Sequence, residues 1–493
     1  MPTTAPLAAA DREFFRNLAD LVFTNPFSTE GEAAARRYAS GATDRESIRR
    51  HYLNAIVSPL NERIGALERA GHSSLQAFRG EDRRLLEHAF LFQVYFRFVD
   101  ELDALILDQA DNNEPVAVPF AEQVLALLKT RGFSDRDCTR YLGLFYQLRR
   151  AYYFIVKSLV GEAPCMRQLR CELWNNVFTY DVRLYDQHLF DRMEDFSTLL
   201  LGETGTGKGA AAAAIGRSAF IPYDAKRGRF AESFNQSFLA INLSQYPEAL
   251  IESELFGHKK GAFTGAVEEH AGVFARCSAH GALFLDEIGD VSVPVQIKLL
   301  QVIQERRFTP VGSHKAQRFS GRVIAATNRS LGTLRREGKF RDDFYYRLCS
   351  DVITVPPLRQ RVQESADELQ RLVELLVTRM TGAAQAAVTE LVMTELKRTL
   401  PNDYAWPGNV RELEQAVRRI LLTRRYQGDV TGEPGTAMEQ LSAKMNAGEL
   451  NARELLSHYC THLYQRFGSY EDVARRTDLD RRTVKKYIED LSG

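Results

Sequence analysis

Apolar residues in the first 160 positions recur at helical spacing. LLEHAFLFQVYFRFVDELDALILD (85–108) and YLGLFYQLRRAYYFIVKSLVG (141–161) each place apolar side chains at i, i+3 and i+4, which predicts helices with a buried stripe. The aromatic members of that stripe are read as core rather than as a ligand pocket. Past residue 161 the pattern changes. Four short apolar runs, STLLL (197–201), SFLAIN (237–242), ALFLDE (282–287) and RVIAATN (322–328), are bounded by polar residues or glycine and alternate with helical stretches. That alternation predicts a mostly parallel sheet with helices on both faces. Helical spacing returns over 358–424, as in VRELEQAVRRILL (410–422). RYQGDVTGEPGTAMEQ (425–440) is rich in glycine and breakers and marks a linker over 425–450, before a short helical piece at 451–493.

Composition narrows the class. At 493 residues the chain exceeds a single core. Its 64 basic and 64 acidic residues cancel, so any nucleic-acid contact has to come from a local patch. The six cysteines are scattered without a C-x-x-C pair, which points to free thiols in a reducing cytoplasm. MPTTAPLAAADREFF has no basic segment followed by a long apolar core, so no secretory leader is expected. No apolar run reaches the roughly 18–20 residues of a membrane span, and no membrane partner is expected.

The chemistry concentrates in the α/β region. LLLGETGTGKG (199–209) sets Gly202, Glu203, Thr204, Gly205, Thr206, Gly207, Lys208 and Gly209 between an apolar strand and an alanine-rich helix. Glycines let backbone N–H groups wrap phosphates, the helix N-terminus adds positive potential, and Lys208 can reach the β/γ-phosphates. Gly209 departs from the usual Ser/Thr, so the hydroxyl that would touch Mg²⁺ is missing. ALFLDE ends an apolar strand in two carboxylates, Asp286 and Glu287; one can hold Mg²⁺ and the other can polarise the attacking water. Asn242 and Asn328 close two further strands, where side chains face the ligand crevice of an open α/β sheet, although asparagine is also a common turn residue there. GKFRDDFYYRL (338–348) holds Arg341 and Arg347, which are either solvated or able to reach a neighbouring subunit's γ-phosphate. WPGNVREL (406–413) places Arg411 in a first helical turn, where the dipole disfavours a cation, so a bound phosphate is the better explanation. Binding and hydrolysis of a nucleoside triphosphate, with Mg²⁺ as the metal, is the reading of these residues.

GETGTGK, ESELFGHKKGAFTGA, GALFLDEIGD, RVIAATN, FRDDFYYRL, VPPLRQR and WPGNVREL, in that order, resemble the sigma-54-dependent transcriptional activators of the AAA+ ATPase superfamily over about residues 161–424. The resemblance implies a multidomain chain: an α-helical N-terminal regulatory domain of unrecognised type (1–160), an α/β AAA+ P-loop ATPase core (161–357), a helical lid (358–424), the linker and a C-terminal domain. It implies that Gly261, Ala262, Phe263, Thr264, Gly265 and Ala266 form a loop that touches the sigma-54 factor of RNA polymerase. It casts Asp286 as metal ligand and Glu287 as catalytic carboxylate, with Asn242 as its switch. Asn328 and Arg411 become sensors, and Arg341 and Arg347 fingers supplied in trans. Fingers in trans imply self-assembly into a ring, usually a hexamer. Two segments, 172–196 and 221–236, are longer than the family's equivalents. No receiver domain is recognisable in 1–160, so control by aspartate phosphorylation is not expected. That region is read as controlling ring assembly with one of two signs, restraining it until an unidentified ligand or protein arrives, which is favoured, or promoting it.

GSYEDVARRTDLDRRTVKKYIEDL (468–491) reads as helix, turn, helix. Val473, Ala474, Leu479, Val484 and Ile488 form its small core, and Asp480 is the N-cap of the second helix. Arg481, Arg482, Thr483, Lys485 and Lys486 would face double-stranded DNA at an upstream site, making a helix-turn-helix domain of 451–493; the bland alternative is a hairpin with a solvated basic face. The leading function is an ATP-driven transcription activator. The rivals are an AAA+ remodeller or chaperone of another protein, with the C-terminal helices as adaptor, and a DNA-binding repressor with an inert ATPase fold.

Overall fold

A computed structural model describes residues 6–31, 33, 45–401, 403–428, 445 and 451–492. Most of the expected linker therefore lies outside the described residues. The chain divides into two compact units, residues 1–393 with 403–418 and residues 394–402 with 419–493.

The first unit is built on five parallel strands: β1 Thr198–Leu201, β4 Phe238–Asn242, β5 Ala282–Asp286, β8 Arg322–Thr327 and β9 Asp351–Thr354, in the order β4-β5-β8-β1-β9. Two small antiparallel hairpins stand apart from it, β2 Tyr223–Asp224 with β3 Arg229–Phe230, and β6 Arg307–Phe308 with β7 Gln317–Arg318. The four expected strands are present, each within a residue or two of its apolar run. The edge strand β9 was not among them, because four residues with Val352 exposed carry too little apolar signal. The central strands are buried on both faces, which explains why they read as continuous apolar runs rather than alternating ones.

Strand pleating sends alternate side chains into two cores. Leu199, Leu283, Leu285, Val323 and Ala325 enter one with the helices Glu248–Phe256, Val293–Glu305 and Asp342–Leu348. Leu200, Phe284, Ile324, Ala326 and Ile353 enter the other. This second core is continuous with the N-terminal helices and runs from Leu7 to Val355. The helix expected over 85–108 is broken at Phe98 into Gly80–Arg97 and Val99–Ala110. The second expected helix spans Asp135–Ser158, starting at a Ser134 cap whose hydroxyl accepts from the Asp137 N–H at 3.2 Å.

The two segments longer than in the resembled family are where the N-terminal helices attach. The β2–β3 hairpin takes the Val118 N–H on the Gly228 carbonyl at 3.0 Å and stacks Phe230 on Tyr146 at 4.1 Å. Asn235 donates to the carbonyls of Gln109, Ala110 and Asn112, each at 3.0 Å. In the other segment Arg140 of Asp135–Ser158 pairs with Asp186 and Gln147 donates to the Tyr185 hydroxyl at 2.7 Å, while the helix Pro164–Phe178 that leads into it is held to the sheet by the buried Arg322, which donates to the Asn176 backbone carbonyl at 3.1 Å and to the Asn176 side chain at 2.8 Å.

In the second unit, the described residues from 451 onward form three short helices. Ala452–Phe467 begins in an Asn451–Glu454 capping box and ends at Gly468 with φ 69°. Tyr470–Thr477 and Arg481–Ser492 follow, with Cys460, Leu463, Val473, Val484 and Ile488 as the core. Asp480 caps the last helix as expected, accepting from the N–H groups of Arg482 at 2.8 Å and Thr483 at 3.1 Å.

Candidate nucleotide site

The loop after β1 turns through Gly202, Gly205 and Gly207 at φ 156°, 79° and 105° and enters the helix Lys208–Gly216. Five consecutive alanines make that helix favourable where few polar contacts support it. Glycine is required at 205. A Cβ there would stand 2.3 Å from the Gly408 carbonyl oxygen and 3.0 Å from the Arg411 Cβ. Lys208 is buried and donates to the carbonyls of Gly202 at 2.8 Å and Glu203 at 3.1 Å, within the loop that a phosphate chain would thread. Burial lowers the Lys208 ammonium's pKa, and the nearby Glu287 and Asp286 work against that.

Asp286 ends β5 in register with Asn242, and Glu287 follows in the left-handed region at φ 56°. A non-glycine residue held there aims its carboxylate away from the strand and towards Asn328, whose backbone N–H lies 3.4 Å from it. Burial, then the charge of Asp286, push the Glu287 carboxyl above the usual carboxylate range, while Lys208 pulls it down. Asn328 reaches across to the phosphate loop and donates to the Thr204 hydroxyl at 2.8 Å. Asn242 is occupied locally. Its side-chain oxygen accepts from the Ser244 N–H at 3.0 Å and hydroxyl at 2.8 Å rather than meeting Glu287.

Residues 358–359 and 408–411 close over the same loop. Asn409, fully buried and left-handed at φ 53°, donates to Glu203 at 3.1 Å and to the Thr204 carbonyl at 3.0 Å. Its side-chain oxygen accepts from the Leu358 N–H at 2.8 Å. Arg359 grips the Glu203 carboxylate through both nitrogens at 2.8 and 2.6 Å, and that pair holds Glu203 below the usual carboxylate range. Arg411 lies in the first turn of Asn409–Thr423, exposed and close enough to Lys208 to depress its basicity. Arg359 and Asn409 had no role in the sequence reading. Both lie in motifs already noted, VPPLRQR and WPGNVREL, and the signal for Asn409 is an asparagine after Pro-Gly where a chain must adopt positive φ.

The remaining candidates lie outside this cluster. Arg341 pairs with Asp343 at 2.7 Å, and Arg347 donates to the Ile303 carbonyl at 3.4 Å. The 261–266 loop is a closed turn: the Gly261 N–H donates to the Ala266 carbonyl at 2.8 Å, and Gly261 and Gly265 have φ 81° and 103°. Phe263 is 39% exposed and rests an edge on His258 at 4.9 Å. The loop after β6 backs it, with the Lys259 N–H on the Val311 carbonyl at 3.0 Å. In the second unit Arg481 and Lys485 form ion pairs with Glu471 at 2.9 Å and Glu489 at 3.6 Å, and the Thr483 hydroxyl bonds to Asp480. Among the described residues no cluster of three or more His, Cys, Asp or Glu is placed to hold a metal ion, and no helix is long and apolar enough to cross a membrane.

Comparison with known proteins agrees with this layout. Residues 184–354 match the Sigma-54 interaction domain, and residues 363–455 match the AAA+ ATPase lid domain. The chain is 42% identical over 280 residues to the DNA-binding transcriptional regulator NtrC of Azospirillum brasilense, covering 56% of this chain and 49% of that one. It is 39% identical over 270 residues to a Nif-specific regulatory protein of Azotobacter vinelandii, covering 55% and 45%. It is 33% identical over 364 residues to the Nif-specific regulatory protein of Klebsiella pneumoniae, covering 74% and 58%. The chain thus spans about half the length of the curated relatives it matches. The matches bear out the resemblance to sigma-54-dependent activators read from the motifs.

Proposed function

We propose that this protein is an ATP-driven transcription activator that remodels the closed complex of sigma-54 RNA polymerase. The observation that carries the reading is convergence at one end of a parallel sheet: the phosphate loop, Asp286 and Glu287, Asn328, and Asn409 with Arg411. The residues suit a nucleoside triphosphate. The loop amides, the N-terminus of Lys208–Gly216 and Lys208 would hold the phosphates, and Asp286 would hold Mg²⁺, which supplies charge neutralisation on the phosphates when bound. Glu287 would accept the hydrogen bond of the attacking water, and Asn328 would register the phosphate while touching Thr204. Arg341 and Arg347, bonded to Asp343 and to the Ile303 carbonyl, suit a role in a neighbour's site and hence a ring of copies, most simply a hexamer. Phe263 and Thr264, presented at an exposed turn, are the sigma-54 contact. The second unit is a helix-turn-helix that binds upstream DNA through Arg481, Arg482, Thr483, Lys485 and Lys486, the Thr483 hydroxyl also bonding to Asp480. The working compartment is the cytoplasm.

The test separates hydrolysis from remodelling. Thr264→Ala is expected to hydrolyse ATP at close to the wild-type rate and to fail in opening a sigma-54-dependent promoter in a permanganate footprint. Normal opening by this variant would remove the loop from the mechanism and favour a remodeller of some other protein.

A further inference from the structure

The N-terminal helices reach both elements that hold the phosphate loop. The first contact is behind it. Arg150, fully buried in the helix Asp135–Ser158, donates to the Arg217 carbonyl at 2.8 Å and the Ala219 carbonyl at 2.7 Å, and Gln147 donates to the Ser218 carbonyl at 2.9 Å. These are orphan carbonyls beyond the C-terminus of Lys208–Gly216, and a guanidinium there also complements the negative end of the helix dipole. The helix that begins at Lys208 is therefore capped at its far end by a residue from 1–160.

The second contact runs through the helix Leu358–Glu364. At its start, Arg359 grips Glu203 of the phosphate loop. Two residues on, and so on the opposite face of the helix, Arg361 pairs with Glu368 at 2.7 Å, both side chains being almost fully buried. This pair clasps the turn that leaves the N-terminal helices. Arg361 donates to the Val160 carbonyl at 2.6 Å, and Glu368 accepts from the Glu162 N–H at 2.9 Å. Glu364 accepts from the Cys165 N–H at 2.7 Å. Gly161 passes through the clasp at φ 129°, and a Cβ there would come within 2.0 Å of a Glu368 carboxylate oxygen. A buried, hydrogen-bonded pair of this kind is costly to break from either side, so the turn and the helix move together.

We infer that the 159–165 turn is a positioning element of the nucleotide site, coupled to it by Arg361, Glu364 and Glu368 through Arg359 and Glu203. The inference rests on the nucleotide reading above and assigns the N-terminal helices a standing place in the ATPase fold. Nucleotide that reorders the phosphate loop shifts Glu203, the shift passes along Leu358–Glu364, and the amides of Glu162 and Cys165 feel it on the far side.

The experiment is hydrogen exchange on the full-length chain with and without a non-hydrolysable ATP analogue, with occupancy followed by a fluorescent nucleotide. The peptide spanning 160–168 is expected to change its exchange rate by about threefold or more on binding. Arg359→Met, a half-exposed position, is expected to keep nucleotide binding at higher concentration and to lose that change. An unchanged peptide in the saturated wild-type protein overturns the coupling, as does an undiminished response in Arg359→Met. Absence of analogue binding to the wild-type chain overturns the nucleotide reading itself, and the coupling with it.

Discussion

Glu287 shows how one residue's surroundings set what it can do. Its backbone lies at φ 56°, and burial together with Asp286 raises its carboxyl pKa. The group must be ionised to polarise water, so ATP turnover is expected to fall as pH drops through that raised value, earlier than for an ordinary carboxylate. Glu287→Gln is expected to bind ATP, to lose about 10²- to 10⁴-fold in kcat and to lose that acid limb. The stability sign runs the other way. A carboxyl whose folded pKa is raised favours folding below its unfolded value and loses that contribution as pH rises through the folded value. At neutral pH the glutamine variant should therefore melt no lower than wild type, which separates loss of chemistry from loss of fold. Gly209 is the complementary case. It lies second in the helix Lys208–Gly216, and a Cβ there would meet nothing closer than a Phe284 ring carbon at 4.0 Å. Gly209→Ala is expected to raise stability by roughly 0.5–1 kcal/mol in chemical denaturation and to leave nucleotide affinity unchanged. Weaker binding would show that the methyl group intrudes on the phosphates.

At the scale of elements, the parts legible in the sequence are those with local periodicity or a fixed motif. The three inner strands β1, β5 and β8 announce themselves as apolar runs because both faces are buried, and the phosphate loop because glycine, lysine and a following helix occur together. The edge strand β9 and the role of Arg359 depend on partners over a hundred residues away and leave little local trace. The 261–266 loop lies between these cases: its motif is readable, but its support is not. Gly312 has φ 76°, and a Cβ there would approach the Ala262 Cβ at 2.7 Å. Gly312→Val is therefore expected to displace the 261–266 turn, abolishing promoter opening while ATPase activity persists. Gly338→Ala is the control, since it adds a side chain at φ 69° with nothing within 4 Å. Equal losses of opening in both variants would mean that backbone strain alone, not contact with the loop, is responsible.

For the whole molecule the question is whether residues 1–160 can be removed. Helical spacing alone suggests a separate regulatory domain, and a fragment spanning 162–493 would then be folded and more active. The contacts argue for the opposite outcome. Without the N-terminal helices, Phe230 loses Tyr146, Phe234 loses Phe154, and the carbonyls of Arg217 to Ala219 lose Arg150 and Gln147. Buried Ile215, Ala211 and Ala214, in the same core as Phe145 and Phe154, lose part of their cover. Each large apolar side chain returned to water costs about 1.5–3 kcal/mol, and an unpaired buried carbonyl about 1–3 kcal/mol, against a typical total stability of 5–15 kcal/mol. Several such losses exceed what a domain of this size holds in reserve. The fragment 162–493 is expected to be insoluble, or soluble with exposed apolar surface that binds a hydrophobic dye and without a cooperative thermal transition. A fragment cut at 451, which removes the helices Ala452–Phe467, Tyr470–Thr477 and Arg481–Ser492, is expected to keep its cooperative transition and its ATPase activity. If instead 162–493 melts cooperatively and hydrolyses ATP faster than the full chain, residues 1–160 are a detachable brake, and the shared core contributes less to the fold than its burial implies.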